Sequence, residues 1–392
     1  MFRKIALLIC LMCTSAMRCL ATEDSIRVSL LTCSPGPEVY ELYGHTAIRC
    51  ELPDREVDVV FNYGVFDFKA KHFAWRFALG ECDYIVQAIP WSYFIGEYVA
   101  RGSSITAQEL NLTQQEALQL FERLAHNCLP ENRTYRYNFL RNNCTTMVRD
   151  RIEETLGGQV LYPDSLPHYS YREMLHQYTA AHPWAQEAND LLLGADVDTM
   201  LSERDMMFAP EYFMRFCSGA IIMDADGRQR PLVRRTETPI AAQPQPDATS
   251  PLMLPWQALA VFGAICLMVM MCELHSRRIC WLWDVVLLTV QGCVGTLIAF
   301  LFFFSEHPSV DSNWLLWLFN PLAFAGIPLV VRAATRNRTT HWHAAYFTVL
   351  ALFLLFSPWI PQGFGKIIIP LALCLLTRPV CNHIISHQLK RD

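Results

Sequence analysis

Hydrophobic and polar positions follow two different rhythms, which change over near residue 255. Before about residue 233, apolar and polar residues alternate in short runs; after 255, long apolar stretches succeed one another with little interruption. In the first regime, Ser25 to Cys33, Ala47 to Leu52 and Val57 to Tyr63 predict β-strands, and Asp83 to Ile89 and Ser103 to Leu110 two more. Helical spacing takes over after Thr113, where Thr113-x-x-Glu116 forms a capping box ahead of Leu118, Phe121 and Leu124. A second helix is expected to start near Cys144, capped by Asn142 or Asn143. Val148, Ile152 and Leu156 recur at helical spacing, and Gly157-Gly158 stops it.

In the second regime the apolar runs cover 256–272, 281–304, 314–331, 343–360 and 366–385. Each is close to the roughly 20 residues that cross a hydrocarbon layer. Five transmembrane helices are expected, the fifth weakened by Arg378, Pro379 and His383. Residues 234–255, rich in Pro, Ala and polar side chains, read as a linker. At the other end, Arg3 and Lys4 precede an apolar run from Ile5 to Cys13, and small residues lead to Ala21. This is the pattern of an export signal cleaved after Ala21. The expected organisation is therefore a signal (1–21), an exported α+β domain (22–233), the linker, and an all-α membrane bundle (256–392).

Charge tests this topology. With the domain outside, Arg277 and Arg278, then Arg332, Arg336 and Arg338, then Lys390 and Arg391 all fall on the cytoplasmic side, where Lys and Arg accumulate. The loop after the second span holds Glu306 and Asp311 and neither Lys nor Arg. Asp284 is expected to reach the interface near the cytoplasmic end of the second span. Composition points the same way: 52% of the residues are hydrophobic and 18% charged, against about one quarter charged in soluble proteins. A formal charge of −5 with no basic tract outside the segment ends excludes a nucleic-acid partner.

Of 15 cysteines, the exported domain keeps Cys33, Cys50, Cys82, Cys128, Cys144 and Cys217. In an oxidising compartment an even set invites disulfides, although a working nucleophile would leave at least one other thiol unpaired. No spacing suggests a metal site, and no cofactor is expected. Cys144 is the best-placed nucleophile, because the first turn of a helix favours an anion and an imidazole nearby lowers a thiol pKa. The competing account is a buried structural cysteine. His45, which follows Gly44 at the mouth of a strand, is the candidate base, and Asn62 a candidate to orient it. Arg172 is a candidate phosphate ligand, or more simply an ion-pair partner.

The segments YGHTAIR (43–49), FNYGVFDF (61–68) and RNNCTT (141–146), together with SEHPSVDSNWLLWLFNPLA (305–323), resemble the Bacteroides-type lipoprotein N-acyltransferases, the Lnb family. The resemblance covers nearly the whole chain. It implies a circularly permuted papain-like exported domain, in which His precedes Cys, joined to a membrane domain in the inner (cytoplasmic) membrane. It further implies transfer of a fatty acyl chain from a phospholipid to the α-amine of a diacylated lipoprotein through a thioester on Cys144, with His45 as base and Asn62 as orienter. Asn143, Arg141, Tyr43 and Tyr63 are then candidates for oxyanion binding or substrate positioning, and Glu306 and His307 for the acceptor or a head group. Two other readings stand beside it: a membrane-tethered cysteine peptidase or cell-wall amidase, and a non-enzymatic membrane sensor or scaffold.

Overall fold

A computed structural model describes residues 25–66, 71–164, 167–243, 251–336, 338 and 340–388. The expected signal lies outside these residues, as does 244–250 of the expected linker. The chain forms two compact units. The first comprises Met1–Phe77, Glu81–Tyr171 and Met200–Thr249, the second Ala78–Gly80, Arg172–Thr199 and Ser250–Asp392. Packing thus divides the chain differently from composition: 78–80 and 172–199 belong with the apolar helices.

The first unit is built on strands β1 (Arg27–Cys33), β2 (His45–Leu52), β3 (Val57–Val65), β4 (Asp83–Pro90), β5 (Ile105–Leu110) and β6 (Thr134–Arg136), with helices α1 (Phe73–Ala78), α2 (Trp91–Arg101), α3 (Gln114–Asn127) and α4 (Cys144–Thr155). Later elements are β7 (Gln159–Leu161), α5 (Tyr171–Thr179), α6 (Pro183–Leu192), α7 (Glu203–Met206), α8 (Pro210–Gly219), β8 (Ile221–Met223), β9 (Gln229–Pro231) and β10 (Val233–Ile240). The main sheet is antiparallel in the order β10-β5-β1-β2-β3-β4-β6. On one face, Leu31, Cys33, Ala47 and Val60 pack with Phe94 and Tyr98 of α2. Helix α4 packs against β2 and β3, with Val148 and Ile152 fully buried. The capping box at Thr113 forms as expected, the hydroxyl accepting from the Glu116 amide.

Two expectations change here. Residues 233–240, of which 234–240 were expected as the start of a linker, form an edge strand on β5. Its outward charges and Pro239 hide the strand pattern while suiting a sheet edge, where they discourage further pairing; Arg234 and Arg235 reach Glu109. The expected disulfides are also missing among the described residues, where the six cysteines of this unit keep their thiols. Cys33, Cys82 and Cys217 are instead buried as small apolar side chains.

The second unit carries α9 (Pro255–Ser276), α10 (Trp281–Phe304), α11 (Ala323–Thr335), α12 (His341–Phe356) and α13 (Ile368–Gln388). Four helical segments, at 255–276, 281–304, 341–359 and 368–388, are long and apolar enough to cross a membrane. The run at 314–331 differs from expectation: a 3-10 turn at Trp314–Trp317 precedes α11, which has 13 residues. Pro321 lacks an amide and disfavours helix at Asn320, and 13 residues extend only about 20 Å. The broken backbone is sealed by protein: Gln291 of α10 donates to the Leu318 carbonyl at 3.3 Å and accepts from the Tyr346 hydroxyl at 2.8 Å. The fifth run, expected to be the weakest, is an unbroken helix. Arg378 donates to Asp284 at 2.8 Å and to Glu273 at 2.6 Å, all three being nearly inaccessible. Asp284 therefore faces a partner instead of the interface.

Loops on one side of these helices hold the rest of the unit. The Glu306 amide donates to Leu79 O at 2.8 Å, the Gly194 amide to Ser309 O at 2.7 Å, and the Asn313 side chain to Leu191 O at 2.9 Å. In the loop before α13, the Gly363 amide donates to Asp198 at 3.0 Å. Arg172 is committed to Asp190, Asp198 and the carbonyls of Leu193 and Gly194, which makes it an ion-pair partner and leaves no phosphate site there.

Replacing Arg378 by Met strands two buried carboxylates and is expected to cost on the order of 3–5 kcal/mol. Changing Glu273 and Asp284 to Leu in the same chain should recover most of that loss. Denaturation of the detergent-solubilised protein reads both variants, and an Arg378→Met protein as stable as the wild type would contradict the ion-pair account.

Candidate active site

The site forms where two neighbouring strands part. Pairing of β2 with β3 ends at Ile48 opposite Phe61, leaving His45 to Ala47 and Asn62 to Val65 splayed. A bulge in β3 between Asn62 and Val65 is built on Gly64, whose φ of +87° side chains other than hydrogen resist. Gly44, at φ +73°, is equally obligatory: a Cβ there would come within 2.6 Å of Cys33 O. These two glycines open the ladder and swing His45 and Asn62 toward each other. His45 Nε2 donates to Asn62 Oδ1 at 2.6 Å, which leaves Nδ1 for another partner.

That partner is delivered by α4. Cys144 is its first residue, 8% exposed, and Gly64 lies so close that a Cβ on it would be 3.5 Å from Cys144 Cβ. The start of α4 is pinned by Asn143, whose Oδ1 accepts from the Thr145 and Thr146 amides at 2.9 and 3.0 Å. Thr46 and Thr145 share a hydroxyl hydrogen bond at 3.0 Å, tying β2 to α4 beside the thiol.

The electrostatics follow from this packing. Burial pushes the Cys144 thiol up, but the charge and hydrogen bond of His45, the Thr46 amide and the Thr145 hydroxyl outweigh it, and the thiol titrates below its ordinary value. Burial pushes the His45 imidazole down, and the charge and hydrogen bond of Cys144 together with Asn62 carry it above its ordinary value. Both shifts favour a thiolate facing an imidazolium. Cys33, Cys82 and Cys217, without an imidazole beside them, are pushed up by burial. A helix N-terminus contributes about 0.3–1 kcal/mol, less than the roughly 1.4 kcal/mol that moves a pKa by one. The imidazole, rather than the helix, decides the state of the sulfur.

The other candidates take different places. Asn143, 4% exposed, has both amide hydrogens committed, to Phe139 O at 2.8 Å and Phe208 O at 2.9 Å. It is a cap with nothing left to offer an oxyanion. Tyr63 points to the opposite face of β3, fully buried, its hydroxyl accepting from Asn127 at 2.9 Å. Tyr43 packs edge-on against Phe139 at 4.8 Å. Arg141 is exposed, with its side chain on the Tyr171 hydroxyl. Glu306 and His307 belong to the second unit. Sequence reasoning missed Thr46, Thr145 and Gly64, although the glycine inside the strand-like FNYGV was a visible sign of a bulge. Metal-binding side chains gather at Asp164, His168 and Glu203, within 4.8 Å. Ion pairs of His168 with the two carboxylates at 3.9 and 3.6 Å account for the grouping.

A family model described as the Lnb N-terminal periplasmic domain matches residues 21–177, and one described as the Lnb transmembrane domain matches 247–390. The chain belongs to the Lnb family. It is a membrane protein whose N-terminal α+β domain is periplasmic and is followed by a helical membrane domain. Neither a curated protein nor a solved structure matches it. In this family member the thiol, imidazole and amide all lie within the part matched by the periplasmic model.

The pair sets a pH signature. Because the thiol lies below and the imidazole above its ordinary value, alkylation of Cys144 by iodoacetamide should begin at lower pH than for an ordinary thiol near 8.5. It should fall as acid protonates the sulfur, with a midpoint below that of an ordinary thiol. His45→Gln leaves the burial and removes the charge, so the midpoint should move above that of an ordinary cysteine. The same profile in both proteins would separate the imidazole from the thiol.

Proposed function

We propose that this Lnb family member is a phospholipid:lipoprotein N-acyltransferase acting at the outer face of the inner membrane. The observation that carries the reading is the buried Cys144 thiol paired with His45, itself held by Asn62, in a chain that also carries a membrane domain. The thiolate attacks an ester carbonyl of a glycerophospholipid. As the tetrahedral intermediate collapses, His45 Nδ1 gives its proton to the departing alkoxide, and lysophospholipid leaves with the acyl group bound to sulfur. The neutral α-amine of a diacylated lipoprotein then attacks the thioester. His45, now neutral, takes the amine proton as the C–S bond breaks, and the thiolate–imidazolium pair returns.

Burial supports transfer over hydrolysis, because water competes for the thioester and a dry site holding the amine favours aminolysis. The membrane domain suits the substrates: each buried methylene is worth about 0.8 kcal/mol, so neither lipid can be drawn far into water. Orientation has support within the second unit. Leu79 and Arg172 fall inside the segment matched by the periplasmic model. Leu79 accepts from the loop after α10, and Arg172 holds Asp198, which accepts from the loop before α13. Those loops belong on the periplasmic side, and Arg277, Arg278, Arg332 and Arg336 occupy the opposite ones.

Purified protein incubated with acyl-labelled phospholipid should acquire hydroxylamine-sensitive label, and Cys144→Ser none. Adding a diacylated lipopeptide should then raise its mass by one acyl chain. Equal label on both proteins rejects the nucleophile; peptide cleavage without acyl gain would instead make the protein a peptidase.

A further inference from the structure

Both tetrahedral intermediates place negative charge on an oxygen, and fixed hydrogen-bond donors aimed at that oxygen usually provide the largest single share of catalysis. The Cys144 amide is one donor, since the first amides of a helix have no partner within it. The side chain next to it, Asn143, has no hydrogen left to give. A second donor has to come from another element.

Strand β6 brings one. Its pairing with β4 sets Tyr135 opposite Tyr84, and the Tyr135 ring lies edge-on to Tyr63 at 6.1 Å. The hydroxyl is shut off from solvent and has no hydrogen-bond partner within normal geometry. The Gly64 backbone lies beside it, yet the group takes part in no hydrogen bond of normal geometry. Buried hydroxyls are rarely left this way, because the lost hydrogen bond costs stability. The space beside Gly64 borders both groups: a Cβ there would lie 3.5 Å from Cys144 Cβ, 3.8 Å from Tyr137 Cε2 and 4.0 Å from the Tyr135 hydroxyl. The missing side chain leaves a recess bordered by the nucleophile on one side and a phenol on the other.

We propose that Tyr135 is a further catalytic residue, its hydroxyl donating to the oxyanion formed at Cys144 together with the Cys144 amide. The proposal rests on the acyl-transfer reading only for the identity of the carbonyl. Tyr135 donates a hydrogen bond and keeps its proton throughout; burial pushes the phenol far above its ordinary value, so it remains a donor at any pH at which the thiolate works.

Tyr135→Phe removes one oxygen and keeps the ring. In single turnovers with acyl-labelled phospholipid, acylation of Cys144 should slow by about 10²–10³-fold with KM little changed. Alkylation by iodoacetamide proceeds by displacement at carbon and forms no oxyanion, so its rate and pH profile should match the wild type. Acylation close to the wild-type rate overturns the proposal, and so does a parallel fall in acylation and alkylation, which would make Tyr135 a residue that shapes the thiol. If Tyr135→Phe fails to fold, fluorotyrosine at the same position keeps the shape and strengthens the donor. Acylation should then change while alkylation does not, and unchanged acylation overturns the proposal. The same comparison with p-nitrophenyl butyrate, read as the burst of nitrophenol, separates the two readings. A wild type that takes acyl groups from the ester and none from phospholipid refutes the lipid donor, and the Tyr135 effect on the burst still decides the role proposed for the hydroxyl.

Discussion

The pairing of the Cys144 thiol with the His45 imidazole, both removed from water, is the interaction that the first unit is arranged to sustain. Burial works against each charge separately, as the raised thiols of Cys33 and Cys217 show. At Cys144 the penalty is outweighed because three separate elements converge on the thiol: β2 supplies His45 and the Thr46 amide, β3 supplies Asn62, and α4 supplies the sulfur itself. Remove any one and the same enclosure that protects the anion would neutralise it.

Convergence of this kind requires departures from regular structure. A continuous β2–β3 ladder would satisfy the amides of residues 45–47 and leave no gap for a helix start. The ladder stops at Ile48, the bulge at Gly64 carries β3 outward, and the Asn143 cap fixes the first turn of α4 in the opening. Because the cap bonds run from Asn143 to both Phe139 and Phe208, the sulfur is positioned from two distant parts of the chain. The tight shell that results also limits which groups can meet a substrate, and this is why a satisfied Asn143 and an unsatisfied Tyr135 hydroxyl carry opposite meanings.

Much of this was legible in the sequence where local pattern and final environment agree. The first five strands and helices α3 and α4 declare themselves through alternation, a capping box and a Gly-Gly stop, and Cys144, His45 and Asn62 stand out by position. The failures share a cause: partners too distant to appear in a local window. Arg378 seemed to weaken the last helix because its counter-charges lie 94 and 105 residues away. Asn143 read equally well as cap or oxyanion donor until Phe208, 65 residues on, was found holding its amide. Strand β10 was concealed by the edge charges that make it a safe strand, and the short β7, β8 and β9 have too few residues to show a period. Hydropathy at 314–331 registered apolar side chains and was blind to the amide that Pro321 lacks.

The chain runs between its two units more than once. A periplasmic domain joined by one flexible linker must find the bilayer surface in each cycle, at an entropic cost that grows with linker length. Here the chain passes between the two units at 77/78, 80/81, 171/172 and 199/200 and again between 243 and 251, and residues 234–240, expected to be linker, are committed to the sheet. The segment 78–80 is the shortest of these passages: Leu79 accepts from the Glu306 amide at 2.8 Å, and α1 begins six residues before it. Ordering that the covalent chain imposes is completed once, on folding.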